Sequence, residues 1–126
     1  MGGENVRVLI ADDAAIVRKV MVEMLEQAGH VVVGQAGAGE DAVRLYDDLR
    51  PDVAVLDVNM PGLDGIAAAE QIRLAHPTAR VVLTSVYVNE SRLERVHGLG
   101  SIDYVLKPFR GRTLVDAVER ATGDQS

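Results

Sequence analysis

Val53-Ala54-Val55-Leu56-Asp57-Val58-Asn59-Met60-Pro61-Gly62 is the stretch that decides the fold of this chain. Its apolar run has no in–out alternation, so it reads as a strand covered on both faces, as in a parallel sheet. An acid follows the run at once, and a Pro-Gly pair then turns the chain away. A carboxylate so placed is held rigidly at the edge of a core. Asp12 and Asp13 follow an earlier apolar run, 6–11, in the same way. If the two strands are neighbours, three carboxylates converge, and a cation or a proton must join them.

Outward from that stretch, short β-branched runs alternate with helical spacing. The runs are 6–11, 31–36, 53–56, 81–84 and 102–106. Val17, Val20, Met21, Met24, Leu25 and Ala28 fall at steps of three and four, and Gly29 stops that helix. Ala42, Leu45, Tyr46 and Leu49 repeat the pattern before Pro51, and Ile66, Ala69 and Ile72 do so before His76-Pro77. Leu114, Ala117, Val118 and Ala121 form the last helix, whereas 89–99 has only Leu93 and Val96 as clear apolar positions. Fivefold βα alternation implies right-handed crossovers and helices on both faces of an open sheet. The expected class is therefore α/β and doubly wound, with five parallel strands in a single domain over 1–126.

Composition removes several function classes. A formal charge of −6 and 3% aromatic residues argue against a nucleic-acid surface, which needs a basic face and stacking rings. The absence of cysteine rules out a disulfide scaffold and a thiolate metal site. No apolar run approaches the roughly 20 residues of a membrane span, and no signal-peptide pattern is present. Met1-Gly2 begins like a myristoylation motif, but Val6 stands where Ser or Thr is required. A cytoplasmic domain without nucleic-acid binding or membrane insertion is expected.

Sheets of this kind bind ligands beyond the carboxyl ends of their strands. The polar residues there are Asp12-Asp13, Asp57, Thr84-Ser85 and Lys107-Pro108, with neither a histidine nor a glycine-rich phosphate loop among them. Oxygen-only ligands suit Mg²⁺, which would also neutralise charge on a transferred phosphoryl group. Lys107 offers a compact positive charge and Thr84 a donor for an oxygen that arrives with that group. The set reads as a site where the Asp57 carboxylate is the nucleophile and becomes an aspartyl phosphate.

Ala11-Asp12-Asp13, the segment 56–65, Leu83-Thr84-Ser85 and Tyr104-Val105-Leu106-Lys107-Pro108-Phe109 together resemble the receiver domain of two-component response regulators. The similarity is closest to stand-alone chemotaxis-type regulators and covers about 6–121. It implies the flavodoxin-like, CheY-like (βα)5 fold, and the strand order 2-1-3-4-5 is taken from that family, which is the general rule's own example. It implies that Asp57 accepts a phosphoryl group from a histidine kinase. By the same resemblance Asp13, Asp57 and the backbone carbonyl of Asn59 hold Mg²⁺, with Asp12 acting mainly through a metal-bound water. Lys107 and Thr84 contact the phosphoryl oxygens, and small Ser85 keeps the approach open. Tyr104 matches the aromatic that swings inward with Thr84, and Pro108 the proline whose preceding bond is cis. Output is expected on the face of the fourth helix, fifth strand and fifth helix, read by a docking target protein. Such a protein is a phosphoacceptor that assists its own phosphorylation and dephosphorylation, not an enzyme on other substrates.

Each residue also has a plainer reading. Asp12-Asp13 can cap a helix, Asp57 can begin a turn, and Asp64 is expected to cap the helix starting near Gly65. Thr84 can be an ordinary strand residue, Lys107 a solvated lysine and Tyr104 a half-buried aromatic. His30, His76 and His97 fall at helix ends or turns, away from these acids, and no chemistry is assigned to them. A flavin or nucleotide module would need a glycine- or hydroxyl-rich first loop where Ala11-Asp12-Asp13 is acidic. An aspartate-nucleophile phosphatase would carry Asp-x-Asp after the first strand and a cap domain. With nothing after Ser126, a single-domain regulator is expected; the alternatives are the receiver half of a longer transcriptional regulator and a phosphorelay intermediate.

Three further expectations concern details. Gly98 would cost about 1 kcal/mol inside a helix relative to Ala, so the fourth helix is expected to be short or mobile. Arg110-Gly111-Arg112 places positive charge at a helix N-terminus, against the macrodipole, near Arg92 and Arg95; these read as ordinary solvated arginines or, alternatively, as a basic group awaiting an acidic partner. By the same resemblance Asn59 and Val86 border the path of attacking water; Val86 brings no polar group, so slow self-dephosphorylation is expected.

Overall fold

In the computed structural model, which describes residues 5–87, 89–100 and 102–123, strands and helices alternate without exception. The strands are β1 (Arg7–Ala11), β2 (Val31–Ala36), β3 (Val53–Asp57), β4 (Val81–Ser85) and β5 (Asp103–Leu106). The helices are α1 (Ala15–Gln27), α2 (Gly39–Leu49), α3 (Gly65–Ala75), α4 (Glu90–His97) and α5 (Thr113–Thr122). All strands are parallel, in the order β2-β1-β3-β4-β5.

The apolar strands divide their residues by the two-residue period of a pleat. Leu9, Ala11, Ala54, Leu56, Val81 and Leu83 face a core shared with Ala42 and Tyr46 of α2, Ile66, Ala69 and Ile72 of α3, and Val96 of α4. Val8, Ile10, Val53, Val55, Val82 and Val105 face the opposite core, filled by Met21 and Leu25 of α1 and Leu114, Ala117 and Val118 of α5. Both faces of β3 are thus covered, which is why its sequence shows no alternation. Edge strand β2 is only partly buried and carries a register shift opposite Val8 and Leu9.

Local signals explain the helix ends. Asp64 caps α3 by accepting from the Ala67 N–H at 2.8 Å, as expected. Gly29, at φ +92°, ends α1. Arg50 ends α2 in the left-handed region at φ 47°, its N–H still bonded to the Tyr46 carbonyl, and Pro51 cannot continue the helix. The fourth helix is shorter than its sequence pattern: Gly98 is already its C-cap and Gly100 turns at φ +85°. Among the described residues, no helix is long and apolar enough to cross a membrane.

One residue does more than its sequence shows, and one sequence expectation needs correction. His30 is buried and far from idle: Nδ1 accepts the Val6 N–H at 3.2 Å while Nε2 meets Glu119 Oε2 at 2.8 Å, tying β1 to α5. The arginines expected to await an acidic partner are largely engaged within the chain. Arg112 pairs with Asp116 and Glu119 at 3.2 Å each, and Arg95 pairs with Asp64 at 3.1 Å.

Candidate functional site

Register builds the site. Ala11 lies opposite Leu56 and Asp57 opposite Thr84, so the residues leaving β1, β3 and β4 meet at one edge of the sheet. The loops are stitched there by backbone hydrogen bonds: Asp12 N–H to Ala36 carbonyl at 3.0 Å, Val58 N–H to Thr84 carbonyl and Lys107 N–H to Ser85 carbonyl at 2.8 Å each. These bonds continue the ladder past the strands and fix where the side chains start.

Asp12 is fully buried and Asp57 nearly so, while Asp13 is exposed at the rim. Carboxylate oxygens of Asp12, Asp13 and Asp57 lie within 4.8 Å of one another. Lys107 Nζ reaches Asp12 Oδ2 at 2.5 Å and Asp57 Oδ2 at 3.4 Å, so one ammonium serves both buried acids. Burial, then the neighbouring Asp12 charge, raise the Asp57 pKa above the usual carboxylate value; Lys107 and the Asn59 N–H only partly oppose them. The plainer reading of Asp12-Asp13 as a helix cap does not hold. Asp12 Oδ1 accepts the Ala14 N–H at 2.9 Å, but the N-cap of α1 is Ala14, with no side-chain cap bond.

Other sequence-marked residues join the same edge. The Asn59 N–H donates to Asp57 Oδ1 at 3.2 Å. Thr84 Oγ1 is buried without a hydrogen-bond partner, a costly state unless an acceptor or donor arrives. Ser85, also buried, donates to the Tyr87 carbonyl at 2.7 Å, and Tyr104, half-buried on β5, donates to the same carbonyl at 3.4 Å. The Lys107–Pro108 bond is cis. Three carboxylates, a bridging ammonium and an unpartnered hydroxyl are what a hard divalent cation and an oxyanion together require.

The receiver-domain pattern of response regulators matches residues 8–119. The chain belongs to the response regulator receiver domain family. It is similar to the transcriptional regulatory protein PdtaR of Mycobacterium tuberculosis, 41% identical over 91% of this chain and 56% of that protein. The receiver thus spans little more than half the length of that relative. It is also similar to the chemotaxis protein CheY of Thermotoga maritima, 33% identical over 92% of this chain and 97% of that protein. Among solved structures, the CheX–CheY–BeF3–Mg²⁺ complex of Borrelia burgdorferi aligns with TM-score 0.87 at 26% identity, covering 94% of this chain and 90% of that one. Receivers are phosphoacceptor signalling domains of two-component systems, and they bind Mg²⁺ at an acidic pocket of the kind seen here.

Sequence reasoning missed three contributors. Arg18 of α1 donates to the Asp12 carbonyl, and Arg92 of α4 donates to Asn59 Oδ1 at 2.6 Å. Gly65 packs so tightly on Asp57 that a Cβ there would stand 2.1 Å from the Asp57 carbonyl oxygen. Glycine at that point was visible, and its meeting with Asp57 eight residues back was not. The two arginines carried no local signal, since surface helices are rich in them.

Proposed function

We propose that this receiver, a single domain with its core at about 6–121, is a phosphorylation-dependent switch that takes a phosphoryl group from a histidine kinase onto Asp57. The observation that carries the reading is the convergence of Asp12, Asp13, Asp57, Lys107 and the unpartnered Thr84 hydroxyl at one strand edge. An Asp57 oxygen attacks phosphorus as the P–N bond to the donor histidine breaks. The Asp12, Asp13 and Asp57 carboxylates and the Asn59 carbonyl are the groups to hold Mg²⁺. Bound there, the ion would draw the carboxylates and the phosphoryl oxygens together and offset their charge. Lys107 then leaves Asp12 for a phosphoryl oxygen, and Thr84 donates the hydroxyl that has no partner at rest. Ser85 is small enough not to obstruct.

Movement of Thr84 draws the β4 end inward and opens room for Tyr104, whose hydrogen bond to the Tyr87 carbonyl is long and easily exchanged. The change is thereby passed to the α4–β5–α5 face, where a downstream protein docks. An open apolar hollow of about 530 Å³ beside Lys107, lined by Ile16, Val20, Met24 and Phe109, supports docking of the histidine-bearing segment of the donor there. A second reading has one specific observation behind it: PdtaR is nearly twice as long as the matched segment, so this receiver can serve as the input half of a longer transcriptional regulator.

Amide NMR spectra with Mg²⁺, before and after beryllium fluoride, test the switch. Shifts at Thr84, Tyr104 and along α4 and α5 are expected. Shifts confined to the loops bearing Asp12 and Asp57 would mean that the site does not report to that face.

A further inference from the structure

Two buried side-chain polar atoms of the described residues lack a hydrogen-bond partner: Thr84 Oγ1 and Arg92 Nη1. The first lies next to Asp57 across β3 and β4. The second belongs to the first turn of α4, and its neighbours lead back to the same place. Arg92 Nη2 donates to Asn59 Oδ1 at 2.6 Å, and its guanidinium stands 5.3 Å above the Tyr87 ring. The Arg92 backbone is itself anchored, its N–H bound to the cap residue Asn89 at 2.9 Å. Asn59 in turn presents its N–H to Asp57 Oδ1. One fixed side chain therefore spans the gap between the loop after Asp57 and the Val86-Tyr87 segment after β4. A guanidinium seated on a ring and bonded to an amide is a rigid brace, because its planar fork leaves little freedom once both contacts form.

We propose that Arg92 is a positioning residue that holds the Asn59 side chain across the mouth of the phosphorylation site and so prolongs the life of the aspartyl phosphate. The inference rests on the phosphoacceptor reading of Asp57. Loss of the signal is a hydrolysis. A water oxygen bonds to phosphorus while the bond from phosphorus to the Asp57 oxygen breaks, the carboxylate is regenerated, and the water proton leaves with inorganic phosphate or solvent. The water must arrive on the side away from the Asp57 oxygen. In this proposal that approach runs between Asn59, whose N–H meets Asp57 Oδ1, and the exposed Val86 and Tyr87, the gap that Arg92 spans. Arg92 forms no hydrogen bond or ion pair with Asp57 among the described residues; its Nη2 donor is spent on Asn59. The brace shields, and its removal frees both the gap and the Asn59 amide.

The test compares the unaltered chain with R92A, R92K, N59A and the R92A/N59A double variant. Each is loaded with a small acyl phosphate and Mg²⁺, freed of donor, and followed by intact mass. R92A is expected to load and then to lose its phosphoryl group roughly three- to tenfold faster, the scale of one lost hydrogen bond. R92K, which keeps one donor for Asn59, should fall between. In the N59A background the R92A change should have little further effect, which a general loosening of α4 would not produce. Normal loading with an unchanged decay rate in R92A, slower decay, or an equal R92A effect with and without Asn59 would each overturn the proposal. Absence of loading in the unaltered chain would instead remove the phosphoacceptor reading, and this inference with it.

Discussion

Replacing Asp57 by Asn should make the metal-free protein more stable, although the residue is buried and hydrogen-bonded. Its carboxylate lies within 4.8 Å of those of Asp12 and Asp13, which at an effective dielectric constant of about 20 means roughly 3.5 kcal/mol of repulsion from Asp12 alone. Lys107, at 3.4 Å, returns about 5 kcal/mol on the same scale, but it is shared with Asp12 at 2.5 Å. The Coulomb terms nearly cancel, and desolvation of a carboxylate only 4% exposed tips the balance against the charge. A net gain of about 1–2 kcal/mol follows for Asn, an upward Tm shift of about 3–8 °C for a domain of this size. The sign with pH is fixed by the raised pKa of Asp57. Its contribution to stability is present below the unfolded carboxylate value and lost as pH rises through the folded one. The Asn advantage should therefore be full at pH 7 and shrink in acid. Mg²⁺ should reverse the ranking, since saturation at a hundred times Kd adds about 2.7 kcal/mol to the unaltered protein and less to one missing a ligand. Thermal melts in chelator and in Mg²⁺ measure all of this. An Asn variant that melts at or below the unaltered protein in chelator, or equal Mg²⁺ shifts in both, would refute the reasoning.

Other outcomes follow from neighbouring contacts. Gly65→Ala forces a Cβ to within 2.1 Å of the Asp57 carbonyl oxygen, so a loss of about 1–3 kcal/mol in urea unfolding should accompany impaired loading; unaltered loading would show that α3 shifts freely. At Asp64, burial is outweighed by the Ala67 N–H and Arg95, which hold the pKa below the usual range. Its stabilisation is thus present above the unfolded value and lost as pH falls through the folded one. The deficit of Asp64→Asn should be about 0.5 kcal/mol at pH 7, reduced by the partial exposure of the pair, and should shrink in urea titrations as pH falls below the unfolded carboxylate value. Val86→Glu should speed phosphoryl loss by giving the incoming water an acceptor, and an unchanged decay rate would count against Val86 bordering that path.

The fold was legible because burial on both sides leaves strands such as 53–57 and 81–85 without alternation, while α1 and α3 keep clean helical spacing. The acids were legible because each directly ends or follows such a strand. What escaped notice depends on meetings between distant segments. His30 reads as a turn residue until β1 and α5 close around it, and Arg92 reads as a surface arginine until α4 docks against the loop after Asp57. Arg112 reads as a charge set against the macrodipole until α5 brings Asp116 and Glu119, four and seven residues on, against its guanidinium. The strand order came with the family resemblance, since periodicity alone does not say which strand lies beside which.

The central claim is that the Asp57 carboxylate is chemically changed and is more than a fixed metal ligand. Incubation with Mg²⁺ and a small acyl phosphate, followed by intact mass and peptide mapping, tests it most directly. The account predicts a gain of one phosphoryl group, mapped to Asp57, and lost in Asp57→Asn and on chelation. No gain under these conditions, or a gain that survives Asp57→Asn, would contradict it.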